Sequence, residues 1–115
     1  MKGNVLVLQE DLIMRCIIER MFLVNDYKCV SLNSIENISL ADKRLHYQFV
    51  VSDLLFKGIS PMEYVTKLQE ALYYEKIFIV TILGQEKMKR SISRLTEVNA
   101  YYEFPVDLDE IKAQI

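Results

Sequence analysis

The sequence is poor in cysteine, histidine, glycine and proline. It has no long apolar run and no marked excess of charge of either sign, and most of these shortages remove a class of function. The two cysteines, Cys16 and Cys29, and the single histidine, His46, show neither CxxC nor Cys/His spacing. Neither a disulfide framework nor a zinc site is expected, and both thiols are expected to be reduced and buried. The longest apolar stretches fall short of the roughly 20 residues needed to cross a bilayer. Met1-Lys2-Gly3-Asn4 leads straight into a brief strand-like run, without the extended apolar stretch and small-residue cleavage site of a secretory leader. A cytoplasmic location and no membrane partner are the expectation. Fourteen Lys and Arg against sixteen Asp and Glu leave a formal net charge of −2, so the overall field gives no reason to expect nucleic-acid binding.

What is present is enough apolar matter for one core. Of 115 residues 51% are hydrophobic and 26% charged, which suits a single folded domain over residues 1–115. "NVLVLQED" begins as a run of β-branched and leucine residues and ends in a polar, acidic cluster; it predicts a buried strand over residues 4 to 9. From Leu12 to Val24 apolar residues recur at helical spacing (Ile13, Ile17, Met21, Val24, with Met14, Ile18 and Phe22 beside them), and Arg15, Glu19 and Arg20 supply a polar side. "KCVSL" predicts a second strand, and "NSIENISLADKRLHYQ" a weaker helix behind cap-type residues. "FVVSD" is a third strand. After a loop containing Gly58, Pro61 opens the helix "PMEYVTKLQEALYY" at a first-turn position, where its missing N–H costs nothing. "KIFIVTILG" predicts a fourth strand, "QEKMKRSISRLTEV" a charged amphipathic helix, "AYYEF" a fifth strand, and "VDLDEIKAQI" the start of a last helix.

Strand and helix thus alternate five times with short connections. That pattern predicts a doubly wound α/β fold: a five-stranded parallel sheet in the order 2-1-3-4-5 with helices on both faces. Ligands of such sheets sit beyond the carboxyl ends of the strands, where the winding direction switches. Polar residues gather at those ends: Gln9, Glu10 and Asp11 after the first strand, Asp53 after the third, Thr81 in the fourth, Glu103 in the fifth. Carboxylates converging there repel unless a cation neutralises them, and magnesium suits such hard oxygen donors. Glu10, Asp53 and the backbone carbonyl of Leu55 form a candidate ligand set, with Gln9 or Asp11 as a further member. An oxygen of Asp53 is then placed to attack a phosphoryl group whose oxygens the Thr81 hydroxyl helps to hold, giving an aspartyl phosphate. Each residue also has a plainer role open to it: Asp11 stands where the helix from Leu12 needs an N-cap, and Thr81 is an ordinary β-branched strand residue. An enzyme that binds a nucleotide or flavin is disfavoured, since "QEDLI" has no glycine and its acidity repels phosphate.

With these positions assembled, the sequence resembles the receiver domain of bacterial response regulators over essentially its whole length. The resemblance rests on "VLVLQEDLIMR", "VVSDLLFKGISPMEYV", "FIVTILG" and "EVNAYYEFPVDLDEI". It implies a flavodoxin-like fold and a signalling phosphoacceptor rather than an enzyme, in which Asp53 takes a phosphoryl group from a sensor histidine kinase. It also implies magnesium held by Glu10 and Asp53, contact of the phosphoryl group by Thr81, and an inward-turning switch aromatic at Tyr101. Further partners implied are a second copy, through the fourth helix, fifth strand and fifth helix, and an output domain, this segment being the N-terminal part of a longer protein.

The departures from that pattern point the other way. Phe104 stands before Pro105 where the family has a lysine that pairs with the phosphoryl group, and this forfeits a charge-assisted contact worth roughly 1.5 to 3 kcal/mol. Gln9 replaces a common acid, so magnesium binding is expected to be weak. Ile82 is bulky where a small residue usually leaves the aspartate accessible, Lys57 takes the place of a loop proline, and Pro61 stands where Gly is common. The alternative function is therefore a phosphorylation-independent pseudo-receiver that serves as an interaction or dimerisation module. Lys87, Lys89, Arg90 and Arg94 form a local basic patch, either a solvated helix face or a contact surface.

Overall fold

Val5, Leu6, Val7 and Leu8 are all fully buried, as a strand covered on both faces requires. In the computed structural model, which describes residues 2–53, 60–81, 98–103 and 107–115, they lie in β1 (Asn4–Leu8). The other strands are β2 (Lys28–Leu32), β3 (His46–Ser52), β4 (Tyr73–Thr81) and β5 (Ala100–Glu103). All pairings are parallel, in the order β2-β1-β3-β4-β5, as the alternating pattern predicts. The described helices are α1 (Leu12–Val24), α2 (Leu40–Lys43), α3 (Pro61–Ala71) and the C-terminal helix Leu108–Lys112.

The two sheet faces carry separate cores. On one, Val5, Val7, Phe49, Val51, Phe78 and Val80 meet Met14, Ile18, Met21 and Phe22 of α1 and Ile111 of the C-terminal helix. On the other, Leu6, Leu8, Val50, Ile77 and Ile79 meet Tyr64 and Leu68 of α3 and Ile35. Strand alternation accounts for this division, since successive side chains point to opposite faces.

Several boundaries differ from expectation. The helix expected over "NSIENISLADKRLHYQ" is a 3-10 turn at Ile35–Asn37 followed by the single turn α2. Ser34 and Ser39 each cap a separate turn, Ile38 between them is extended, and β3 already starts at His46. The third helix ends at Ala71, because Leu72 turns extended to enter the core and Tyr73 and Tyr74 join β4. On α1 the buried row is Met14, Ile18, Met21 and Phe22, while Ile13 is 72% and Val24 78% exposed. The thiols are free but not both buried: Cys16 is exposed, on the side of α1 turned from the sheet, and Cys29 is half-buried. Burial, with Glu19 adding to it, pushes the Cys29 thiol up to about 11, so it is a poor nucleophile near neutrality.

Tyr47 ties α2 to β3. Fully buried, its hydroxyl donates to the Asp42 carbonyl at 2.6 Å, and burial, with the Asp42 carboxylate adding, pushes the phenol from 10.0 up to about 12. Above the unfolded value the unfolded chain has lost this proton while the folded chain keeps it. The stabilisation is therefore whole below pH 10 and drains away toward pH 12. Urea midpoints of wild type should fall across that window by more than those of Tyr47→Phe, the difference being on the order of 2 kcal/mol. Parallel falls in the two proteins would show that this phenol is not responsible.

Candidate functional site

Leu8 and Ser52 are register partners on adjacent strands, so Gln9-Glu10-Asp11 and Asp53 leave the sheet side by side. The chain winds outward in opposite directions from β1 and β3, and the crevice at such a reversal is where doubly wound sheets hold ligands.

Asp53 is only 3% exposed, and its surroundings explain how a carboxylate tolerates that. Its N–H donates to the Leu8 carbonyl at 3.0 Å, continuing the ladder beyond the strand. Its carbonyl accepts from the Ser52 hydroxyl at 2.9 Å. Its Oδ2 accepts from the Glu10 backbone N–H at 2.9 Å. A hydrogen bond to a charged acceptor contributes about 1.5 to 3 kcal/mol, which offsets part of the desolvation of the carboxylate. Asp53 is thus a built-in member of a crevice, not a solvated strand end.

The first-strand residues divide their roles. Glu10 meets Asp53 through its backbone, and its own side chain is exposed. Asp11 is the N-cap of α1, with Oδ1 accepting from Met14 N–H at 2.8 Å. Asp11→Ala should cost about 1 kcal/mol in chemical unfolding and Asp11→Ser should recover most of it; equal losses in both would argue for another role of the carboxylate. Gln9 is 2% exposed, and its backbone N–H donates to the Leu32 carbonyl at 3.1 Å. Its carbonyl accepts from the Arg15 guanidinium at 3.0 Å. Its buried side-chain Nε2 meets no hydrogen-bond partner among the described residues.

Thr81 is the last residue of β4, paired with Glu103, and Tyr101 lies opposite Ile79. Tyr101 is partly buried against the core on the α3 face of the sheet, while Tyr102 points to the other face and stacks edge-on with Phe78. Leu55, Lys57, Ile82, Phe104, Pro105 and the basic patch Lys87, Lys89, Arg90 and Arg94 lie outside the described residues.

Sequence reasoning passed over Arg15 and the pair Ser52 and Tyr64. Tyr64, 2% exposed, reaches from α3 to the strand end, with its hydroxyl 2.7 Å from Ser52 Oγ. Burial holds the phenol above its ordinary range; the Ser52 hydroxyl, which can turn to donate to the phenolate form, works against this and the Asp53 carboxylate adds to it. A tyrosine among core positions of an amphipathic helix was the available signal, since a buried phenol needs a partner.

The donor set fits a hard cation, though sparsely. Among the described residues no group of three His, Cys, Asp or Glu side chains gathers in one place. Asp53 and Glu10 offer carboxylate oxygens, and the amide of Gln9, whose Nε2 meets no partner among the described residues, can turn about its last torsion to offer an oxygen without a charge. Oxygen ligands of this kind suit magnesium, and fewer negative charges mean weaker binding.

No family model and no curated protein matches the sequence. Solved structures do match its fold. A response regulator from Thermotoga maritima aligns over 99% of this chain and 94% of its own at 13% identity, with a TM-score of 0.80. A Burkholderia pseudomallei response regulator, described with a phosphorylated aspartic acid and a calcium ion, aligns over 97% of this chain and 65% of its own at 18% identity and TM-score 0.77. The chain has the receiver-domain fold. A third neighbour, the receiver domain of the sensor histidine kinase PA1611 from Pseudomonas aeruginosa, is described with magnesium coordinated in the active site cleft. It aligns over 96% of this chain and 92% of its own at 13% identity and TM-score 0.73. In this receiver fold the described helices include none long and apolar enough to cross a membrane.

Proposed function

We propose that the chain is a phosphoacceptor receiver domain, in which Asp53 takes a phosphoryl group from the phosphohistidine of a sensor kinase. The observation that carries this reading is the burial of Asp53 at the crevice, with its Oδ2 held by the Glu10 amide. In the transfer a carboxylate oxygen of Asp53 forms a bond to phosphorus, the P–N bond breaks, and the imidazole leaves and takes up a proton. With acetyl phosphate the bond broken is P–O and acetate leaves. Main-chain contacts on both sides of Asp53 hold the carboxylate in place before the donor arrives, and such orientation is a large part of phosphoryl-transfer catalysis. Magnesium, when bound, would supply charge neutralisation to the transferring oxygens. Glu10 and Asp53 are the residues to hold it, with the Gln9 amide oxygen and the Leu55 carbonyl as further donors. Thr81 would contact the phosphoryl group and Tyr101 would answer it as the switch aromatic. The surface altered is that of the helix expected over "QEKMKRSISRLTEV", β5 and the C-terminal helix, open to a second copy or an output domain. The domain acts as an acceptor rather than an enzyme, at a cytoplasmic location.

Incubation with acetyl phosphate and magnesium, followed by mass spectrometry, tests the reading. Addition of one phosphoryl group on Asp53 supports it. No addition overturns it in favour of a second reading, the phosphorylation-independent interaction module, which Gln9 and Phe104 favour. Magnesium binding offers a further check. Gln9→Asp restores a negative charge beside Asp53, so calorimetry should show affinity roughly tenfold tighter than wild type. The thermal midpoint of the variant should also rise more steeply with magnesium. Unchanged affinity would mean that position 9 does not face the ion.

A further inference from the structure

Asp53 is clamped at both of its peptide groups, and only one of the two clamps belongs to the sheet. The N–H side is held by the Leu8 carbonyl, at 3.0 Å, through the strand ladder. The carbonyl side is held by the Ser52 hydroxyl at 2.9 Å. Ser52 carries one proton and spends it on that carbonyl, so the 2.7 Å contact between Ser52 Oγ and Tyr64 OH has the phenol as donor and the serine as acceptor. The result is a directed chain from α3 to the last peptide of the strand end: Tyr64 O–H to Ser52 Oγ, Ser52 O–H to Asp53 C=O. Ser52 is fully buried, and Tyr64 is 2% and Asp53 3% exposed, so water does not compete for these bonds. An apolar residue like its neighbours Val65 and Leu68 would have filled the core at position 64; the hydroxyl adds a hydrogen bond whose far end is Asp53.

We propose that Ser52 and Tyr64 are positioning residues for the Asp53 carboxylate, fixing the peptide that follows it so that the side chain projects at one angle into the crevice. The inference rests on reading Asp53 as the phosphoacceptor. With both flanking peptides held, the Cα–Cβ direction of Asp53 is set by the fold, and the Glu10 amide restricts what rotation remains. Release of the carbonyl clamp lets that direction drift, and misplacement of a reacting atom by about 1 Å can cost on the order of a hundredfold in rate. The clamp also joins the site to α3, so a change at Asp53 reaches that helix.

The test compares wild type, Tyr64→Phe, Ser52→Ala and the double variant in acetyl phosphate kinetics, at temperatures where melting curves show all four folded. Tyr64→Phe and Ser52→Ala should each lower the limiting rate of Asp53 phosphorylation about tenfold, with the half-saturating donor concentration changed by less than about twofold. The double variant should be no slower than Ser52→Ala, because both changes break one chain. Unchanged rates, equal effects on half-saturation and rate, or additive losses in the double variant would overturn the proposal. Should wild type itself take no phosphoryl group, the receiver reading fails on its own. The positioning claim is then decided by the 13C resonance of the Asp53 carboxylate at neutral pH without metal. It should be displaced in Tyr64→Phe and in Ser52→Ala, and a resonance unmoved in both overturns the claim.

Discussion

Asp53→Asn should lose all acetyl-phosphate-dependent modification while keeping the fold. Asparagine has the same shape as aspartate, so the peptide contacts at 3.0 Å and 2.9 Å persist, and its amide oxygen can still accept from the Glu10 N–H. What disappears is the anionic oxygen proposed to form the bond to phosphorus, and a neutral amide is no substitute as a nucleophile. Removal of a charge that is 3% exposed also removes its desolvation cost. The variant should therefore be as stable as wild type or up to about 1 kcal/mol more so in urea unfolding. Mass spectrometry after incubation with donor and magnesium checks the first half of the prediction. Wild-type-like labelling of Asp53→Asn would place the acceptor at another residue and leave the buried carboxylate without this role.

Phe49→Ala should be among the most destabilising single truncations. Phe49 is the hub of an aromatic cluster, with ring centroids 5.9 Å from Phe22, 5.7 Å from Tyr27 and 5.2 Å from Phe78. It therefore joins α1, β3 and β4 through one side chain. Truncation of a buried phenylalanine costs about 3 to 5 kcal/mol through lost transfer energy and an unfilled cavity, against a total of roughly 5 to 15 kcal/mol for a domain. Phe49 stands on β3, whose end leads directly into Asp53, so the labelling rate should fall together with stability. Urea unfolding measures the effect, and a loss below about 1 kcal/mol would show that neighbouring rings collapse into the space.

Eight solved structures that share the fold are 11 to 19% identical to this chain. At that distance the fold is shared while each site residue has to be argued from this chain alone. Position 9 shows why. A glutamine there keeps the main-chain bonds that hold the strand end, to Leu32 and from Arg15, and gives up only charge. The architecture is therefore indifferent to the charge at position 9, on which the proposed cation affinity would depend.

By itself the sequence determined the five parallel strands, their order, and the placing of the first-strand end, Gln9 to Asp11, beside Asp53 at one rim. These follow from apolar periodicity and from the handedness of parallel crossovers, and both act over windows long enough to average out local exceptions. The Asp11 cap was legible for the same reason of locality, and its side chain accepts from an N–H three residues on; Ser60 caps α3 in the same way, although only Pro61 marked that helix start in the sequence. Tertiary structure alone decided which half of the apolar surface of α1 is covered, since rows at Met14–Ile18 and Ile13–Ile17 are equally periodic and only the sheet chooses between them. It also decided that two short capped turns replace the second helix, where β3 claims the chain from His46 onward. Last, it decided that Glu10 meets Asp53 by its amide, and that Tyr64 reaches Ser52 across the α3 interface. Contacts of that kind join residues more than ten positions apart through one atom each, and no periodicity in the chain encodes them.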